Sequence, residues 1–103
     1  MEDENLKSVL NILIEASKEN DFGEDNKKIQ NLYNSLSMLQ NKLPTNDEID
    51  KLEEEINYLE IKYDIFNELS YYTAPLFVAI RRRIHTEEVK KLREENRRKR
   101  GIE

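Results

Sequence analysis

The segment EINYLEIKYDIFNELSYYTAPLFVAI, residues 55–80, decides how this chain folds, because it carries two apolar stripes at helical spacing. An ordinary surface helix buries only one apolar face. The members of the first stripe are Ile56, Leu59, Tyr63 and Phe66. The members of the second stripe are Tyr58, Ile61, Ile65, Leu69 and Tyr72. The segment is therefore predicted to be covered on two sides, with the second stripe facing either the chain's own core or a partner protein.

The composition favours a small all-α domain. The chain has 103 residues, of which 37% are hydrophobic and 38% charged, and only two Gly and two Pro. So few turn-forming residues argue against a strand-and-turn protein. There is no Cys, which excludes disulfides, thiolate nucleophiles and Cys-based zinc sites. The acidic N-terminus does not resemble a secretory signal, and the apolar runs are too short to span a membrane.

Hydrophobic spacing and helix-boundary signals predict four helices. The first covers residues 3–19, and Gly23 supplies a turn before a second helix at residues 25–42, which Pro44 ends. Thr45 and Glu48 form a capping-box pattern at the start of a long third helix. That helix is predicted to end at residues 72–74, with a new helix beginning at Pro75; a kink at Pro75 is the alternative.

The predicted fold is thus a small antiparallel helical bundle with a long central helix and a basic helical C-terminal extension. The bundle domain is expected to comprise residues 1–84, and the basic tail residues 85–103. The tail has helix-forming residues but too little apolar surface to pack firmly on the bundle.

Catalytic residues are not expected. His85 is the one histidine, no carboxylate pair lies in an apolar setting, and Gly23 and Gly101 are isolated rather than part of a phosphate-binding loop. The chain is therefore predicted to be non-enzymatic, with no metal site, no cofactor and no small-molecule substrate.

The charges divide the chain into an acidic body and a basic tail. Residues 1–80 carry seven Lys and Arg against seventeen Asp and Glu, a net charge of −10, whereas residues 81–103 carry ten against five, a net charge of +5. Such a tail can bind nucleic-acid phosphates, act as a nuclear import signal, or remain a solvated helix with Glu–Lys pairs at four-residue spacing. It contains no aromatic residue for base stacking. The candidate RNA-binding residues are Arg81, Arg82, Arg83, Lys90, Lys91, Arg93, Arg97, Arg98, Lys99 and Arg100.

The sequence INYLEIKYDIF resembles the signature segment of the neuroguidin and something-about-silencing family, which includes nuclear exosome cofactors and small-subunit processome proteins. That segment reads G-[IL]-[ST]-[YF]-L-E-x-K-x-x-L-L-L-x-Y. Glu55 stands where the family has Gly, and Pro75 interrupts the second half. The residues that match in register are Ile56, Tyr58, Leu59, Glu60, Lys62, Ile65 and Phe66.

The resemblance implies an adaptor of ribosomal RNA processing in the nucleus or nucleolus; without it, a cytoplasmic location is expected. The bundle would dock a larger protein of the processome or exosome type, and the tail would contact RNA. The alternatives are a structural coiled-coil or bundle subunit, and a small viral or mobile-element regulator that inhibits a larger enzyme. The candidate partner-binding residues are those of the second stripe: Tyr58, Ile61, Ile65, Leu69 and Tyr72.

Overall fold

Four helices make up the fold in the computed structural model, which describes the backbone of residues 2–102 and the side chains of residues 4–98. No strand occurs within the described backbone, so the predicted all-α class is confirmed. The helices are α1 (Glu2–Glu19), α2 (Asp25–Met38), α3 (Asn46–Lys62) and α4 (Leu69–Ile102), and a 3₁₀ turn at Asp64–Phe66 separates α3 from α4.

The helices run alternately up and down. Phe22, which follows α1, packs edge-on against Tyr63 at the end of α3, with ring centroids 4.9 Å apart. At the opposite end, Leu6 near the start of α1 lines the same groove as Leu43 and Ile80. Helix α1 is therefore antiparallel to α4, and each short connection joins antiparallel neighbours, as in a four-helix bundle.

One apolar stripe from each helix forms the core. Fully burying a large aliphatic or aromatic side chain stabilises a fold by about 1.5–3 kcal/mol, so a core of this size is what holds the helices together. The buried hydrophobic residues are Leu6, Val9, Leu10, Leu13, Ala16, Ile29, Leu32, Leu36, Ile49, Leu52, Ile56, Leu59, Phe66, Leu69, Leu76, Phe77, Ile80 and Ile84.

The turn between α1 and α2 has the conformation predicted for Gly23, with a φ of 60°. The Asp21 carboxylate accepts hydrogen bonds from the Gly23 N–H (2.9 Å) and the Asn26 side chain (2.7 Å). The side-chain oxygen Oδ1 of Asn26 in turn accepts from the Phe22 N–H at 3.0 Å. These contacts fix the reversal that brings Phe22 and Asp25 towards the end of α3.

Helix α2 ends at Met38, four residues before the predicted end at residue 42. The reason is a tightened last turn, in which the Leu39 N–H bonds to Leu36 O and the Gln40 N–H bonds to Ser37 O, at 3.1 and 3.3 Å. Such i→i+3 bonds commonly close an α-helix. Leu39 and Leu43 still pack against the core from this turn, which explains why their spacing resembled a longer helix.

The predicted capping box at the start of α3 is present. The Thr45 hydroxyl oxygen accepts from the Glu48 N–H at 3.1 Å, and the Glu48 carboxylate accepts from the Thr45 N–H at 3.3 Å. Two backbone donors that the first turn leaves unpaired are satisfied in this way.

The predicted end of the third helix at residues 72–74 was wrong. Helix α3 ends at Lys62, and Tyr63 is extended, with φ −128° and ψ 121°. The 3₁₀ turn then places Phe66 in the core, and α4 begins at Leu69 rather than at Pro75. The long helix of the bundle is consequently α4 and not α3.

Pro75 lies inside α4 and is exposed. A proline there cannot donate to the carbonyl of Tyr71, four residues earlier, and it bends a helix. Pro75 faces solvent, and α4 continues through it. The last core residue of α4 is Ile84, and beyond it the helix runs on without interruption, so the predicted tail is the outer part of the same helix.

Replacing Thr45 by Ala removes the capping oxygen and is expected to lower the free energy of unfolding by about 1 kcal/mol. Urea denaturation followed by circular dichroism measures this difference. Thr45→Ser keeps the oxygen and serves as the control, with stability close to that of the natural chain. Equal stability of the Ala variant and the natural chain would show that the box contributes nothing.

Candidate functional site

The second apolar stripe, predicted to bind a partner, does not form one exposed surface. Leu69 is fully buried in the chain's own core, so its assignment to a partner surface is corrected. Tyr72 is half-buried against the core. The two isoleucines remain available, with Ile61 87% exposed and Ile65 45% exposed.

Tyr58 is engaged within the chain, at a charged cluster that joins α2 to the end of α3. The cluster is built around Asp25, a carboxylate that is only 6% exposed. The Asp25 carboxylate accepts hydrogen bonds from Lys62 Nζ at 2.8 Å, Tyr63 Oη at 2.5 Å and Tyr58 Oη at 3.2 Å. The Lys28 ammonium lies 4.1 Å from the Tyr58 ring centroid and adds a cation–π contact.

The cluster holds Asp25 ionised. The hydrogen bonds from Lys62 and then Tyr63 lower the pKa of Asp25 from 3.8 to about 2, against the opposing effect of burial. The same bond raises the pKa of Lys62, and donating to Asp25 raises the pKa of Tyr63. A buried carboxylate with three donors is a satisfied structural group, because each of its partners stabilises the charged form.

A second polar contact starts α4. The Glu60 carboxylate accepts from the Ser70 N–H at 2.9 Å and from the Ser70 hydroxyl. It thereby satisfies one donor of the first turn of α4 and places negative charge at a helix N-terminus. Glu60 and Lys62 are the charged residues among the positions that match the signature, and here both bind their own chain.

Arg81 belongs to the bundle rather than to a free basic surface. Its guanidinium donates to Asp50 at 2.6 Å, Glu53 at 2.5 Å and Asn46 at 3.1 Å. The bonds to Glu53 and then Asp50 raise the pKa of Arg81, and all three bonds link α4 to the acidic first half of α3. The role of Arg81 in RNA binding stays a prediction, and an RNA phosphate that binds it would have to displace two carboxylates.

The other predicted RNA-binding residues lie farther along α4. Arg82 and Arg83 are exposed beside the bundle, and every side chain from Lys90 to Arg98 is exposed. Lys90 makes one long ion pair with Glu87, at 3.8 Å. The side chains of Lys99 and Arg100 lie outside the described residues.

Apart from Arg83, the exposed cations in the described part of α4 fall into two sets around the helix. At 100° per residue, one set lies within about 80° of arc along about 22 Å of helix. A second set, Lys91 and Arg98, lies on another side, four residues after Glu87 and Glu94 respectively. The first set, which we call the basic stripe, consists of Arg82, Lys90, Arg93 and Arg97.

Sequence reasoning missed an apolar surface on α4. Tyr71 is 78% exposed and Val78 51% exposed, and between them Ala74 and Pro75 are exposed as well. Ala74, Pro75 and Val78 lie three, four and seven residues after Tyr71, which places all four residues on one helix face. The assumption that a helix began at Pro75 hid this pattern, because it assigned Tyr71 and Val78 to different elements.

The described residues contain no group of three or more His, Asp and Glu side chains arranged to hold a metal, and His85 is exposed. Nor does any helix within them have the length and apolar character needed to cross a bilayer.

Comparison with protein-family models, curated proteins and solved structures found no match. The likeness of residues 56–66 to the neuroguidin and something-about-silencing signature therefore stays a prediction.

Replacing Asp25 by Asn is expected to destabilise the chain in a pH-dependent way. A carboxylate whose folded pKa lies below its unfolded value of 3.8 contributes stability above that value, and the contribution is lost as the pH falls through about 2. The natural chain should therefore exceed the variant in urea midpoint by a constant amount above pH 5, and by progressively less between pH 4 and pH 2.

Glu54→Gln, which removes an exposed carboxylate from α3, is the matched control and should show almost no difference at any pH. If the gap between the natural chain and Asp25→Asn is as large at pH 2 as at pH 7, the ionised carboxylate is not what stabilises this end.

Proposed function

We propose that this chain is a non-enzymatic helical adaptor of nuclear ribosomal RNA processing that binds RNA through the outer part of α4. The observation that supports this most is the basic stripe, a row of exposed cations on a helix that extends past its bundle. Three of its four members, Lys90, Arg93 and Arg97, lie beyond the last core residue. An extended ligand can therefore reach them without disturbing the fold.

The chemistry favours phosphate contacts over base recognition. Arg and Lys neutralise phosphates and release counterions, which gives affinity without sequence preference. The described part of α4 beyond Ile84 has no Phe, Tyr or Trp side chain on which bases could stack. The acidic body repels RNA, so binding is directed to this helix and away from the bundle.

The resemblance of residues 56–66 supports the rest of the proposal, namely the ribosomal RNA pathway, the nuclear location and a larger protein partner. Within that segment, Ile61 and Ile65 are the apolar residues that the bundle leaves exposed. They are the side chains through which we propose that the partner docks.

The test compares two double substitutions that change the charge equally on the same helix. Arg93→Gln with Arg97→Gln removes two members of the basic stripe, whereas Lys91→Gln with Arg98→Gln removes the two exposed cations of the second set. Affinity for an unstructured single-stranded RNA is measured by fluorescence anisotropy over a salt series. The natural chain should lose affinity steeply as salt increases, with a log–log slope of about −0.7 per phosphate contacted.

The stripe variant should flatten that slope by about 1.4, because it loses two contacts, while the other variant should change it by less than half as much. Both should melt at the temperature of the natural chain, since none of the four side chains is buried. Equal effects of the two variants would show that overall charge matters and the stripe does not. Weak, salt-insensitive binding by the natural chain itself would remove the RNA role.

A further inference from the structure

The outer face of α4 carries a pattern of side chains that is complementary to itself. The face starts at Glu68, just before the helix, continues through Tyr71, Pro75 and Val78, and ends at Arg82. All five side chains are exposed. An apolar centre thus lies between an acidic residue on one side and a basic residue on the other.

The order of these residues is symmetric about Pro75. Glu68 lies seven residues before Pro75 and Arg82 seven residues after it, while Tyr71 and Val78 lie four before and three after. If a second copy packs antiparallel with its Pro75 opposite this one, Glu68 of each copy meets Arg82 of the other. Tyr71 of each copy then meets Val78 of the other.

We infer that this face binds a second copy of the chain, giving a dimer with an antiparallel α4 pair. A two-fold axis needs a surface that is complementary to itself, and here both the apolar contacts and the charges meet that condition. The inference goes beyond the proposed RNA role, which needs no dimer.

The two charges cannot pair within one copy. Fourteen residues separate Glu68 from Arg82, which corresponds to about 21 Å along a helix. Arg82 also has no ion pair within the described residues, in contrast to its neighbour Arg81. Any coupling between Glu68 and Arg82 would therefore come from contact between copies.

The contact is short, about four helical turns, and is centred on one aromatic and one aliphatic side chain per copy. Stable dimers usually bury about 1,200–2,000 Å², so a single helix pair of this length lies at the weak end. We expect a dimer that forms in the micromolar range and whose two basic outer helices point in opposite directions.

The experiment measures the mass of the full chain by sedimentation equilibrium at concentrations between about 1 and 500 µM, the range of weak protein association. The mass should rise from that of a monomer to that of a dimer. Arg82→Glu places two like charges opposite each other at both ends of the contact and should weaken the dimer about tenfold or more. Glu68→Arg should do the same.

The decisive variant combines Glu68→Arg with Arg82→Glu. It restores opposite charges across the two-fold axis and should return the dimer to within about threefold of the natural affinity. Arg98→Glu, with the same charge change about 24 Å farther along α4, should leave the dimer intact. Val78→Glu should give a monomer, and the circular dichroism of every variant should match that of the natural chain, because these side chains lie outside the core.

A monomeric mass across the whole concentration range would overturn the inference and leave the face for a different protein. So would a dimer that is insensitive to Arg82→Glu, or one that the double variant fails to restore, because either result places the contact elsewhere.

Discussion

The buried carboxylate of Asp25 holds the start of α2 against the end of α3. It accepts hydrogen bonds from Lys62 and from the hydroxyls of Tyr58 and Tyr63, at the point where α3 ends. The chain then turns through Phe66, whose ring packs 5.2 Å from that of Phe22, and enters α4. If α3 continued through this point, both apolar stripes would lie on one straight helix. Each stripe would then have to be buried by a different set of residues.

The break between α3 and α4 divides the second apolar stripe, so its residues do not lie along one continuous helix face. After the turn, Leu69 faces the core, whereas Ile61 and Ile65 stay outside. The rotation that buries Leu69 also turns Tyr71 and Val78 towards solvent. The exposed apolar face of α4 is therefore a geometric consequence of where α3 ends, and it is this face to which we assign the second copy.

The fold class, the Gly23 turn, the capping box at Thr45 and the core spacing of α1 and α2 could be predicted, because each depends on residues close together in sequence. The ends of α2 and α3 could not. Asp25 and Tyr63 are 38 residues apart, and nothing local indicates that their side chains meet where α3 ends. The ion pairs of Arg81 could not be predicted for the same reason, because its partners Asp50 and Glu53 lie 31 and 28 residues away. In the sequence alone, nothing distinguishes Arg81 from the other arginines of the basic run.

Helix α4 combines two roles along one uninterrupted backbone, as a wall of the bundle up to Ile84 and as an exposed basic helix beyond it. Amide hydrogen exchange along α4, with and without RNA, tests this division most directly. Without RNA, the amides of residues 76–84 should exchange only through global unfolding and those of residues 90–98 should exchange much faster, because no tertiary contact holds the outer turns. Added RNA should protect residues 90–98 and leave the bundle amides unchanged. Equal protection along all of α4 without RNA, or RNA protection confined to the bundle, would contradict the division of this helix at Ile84.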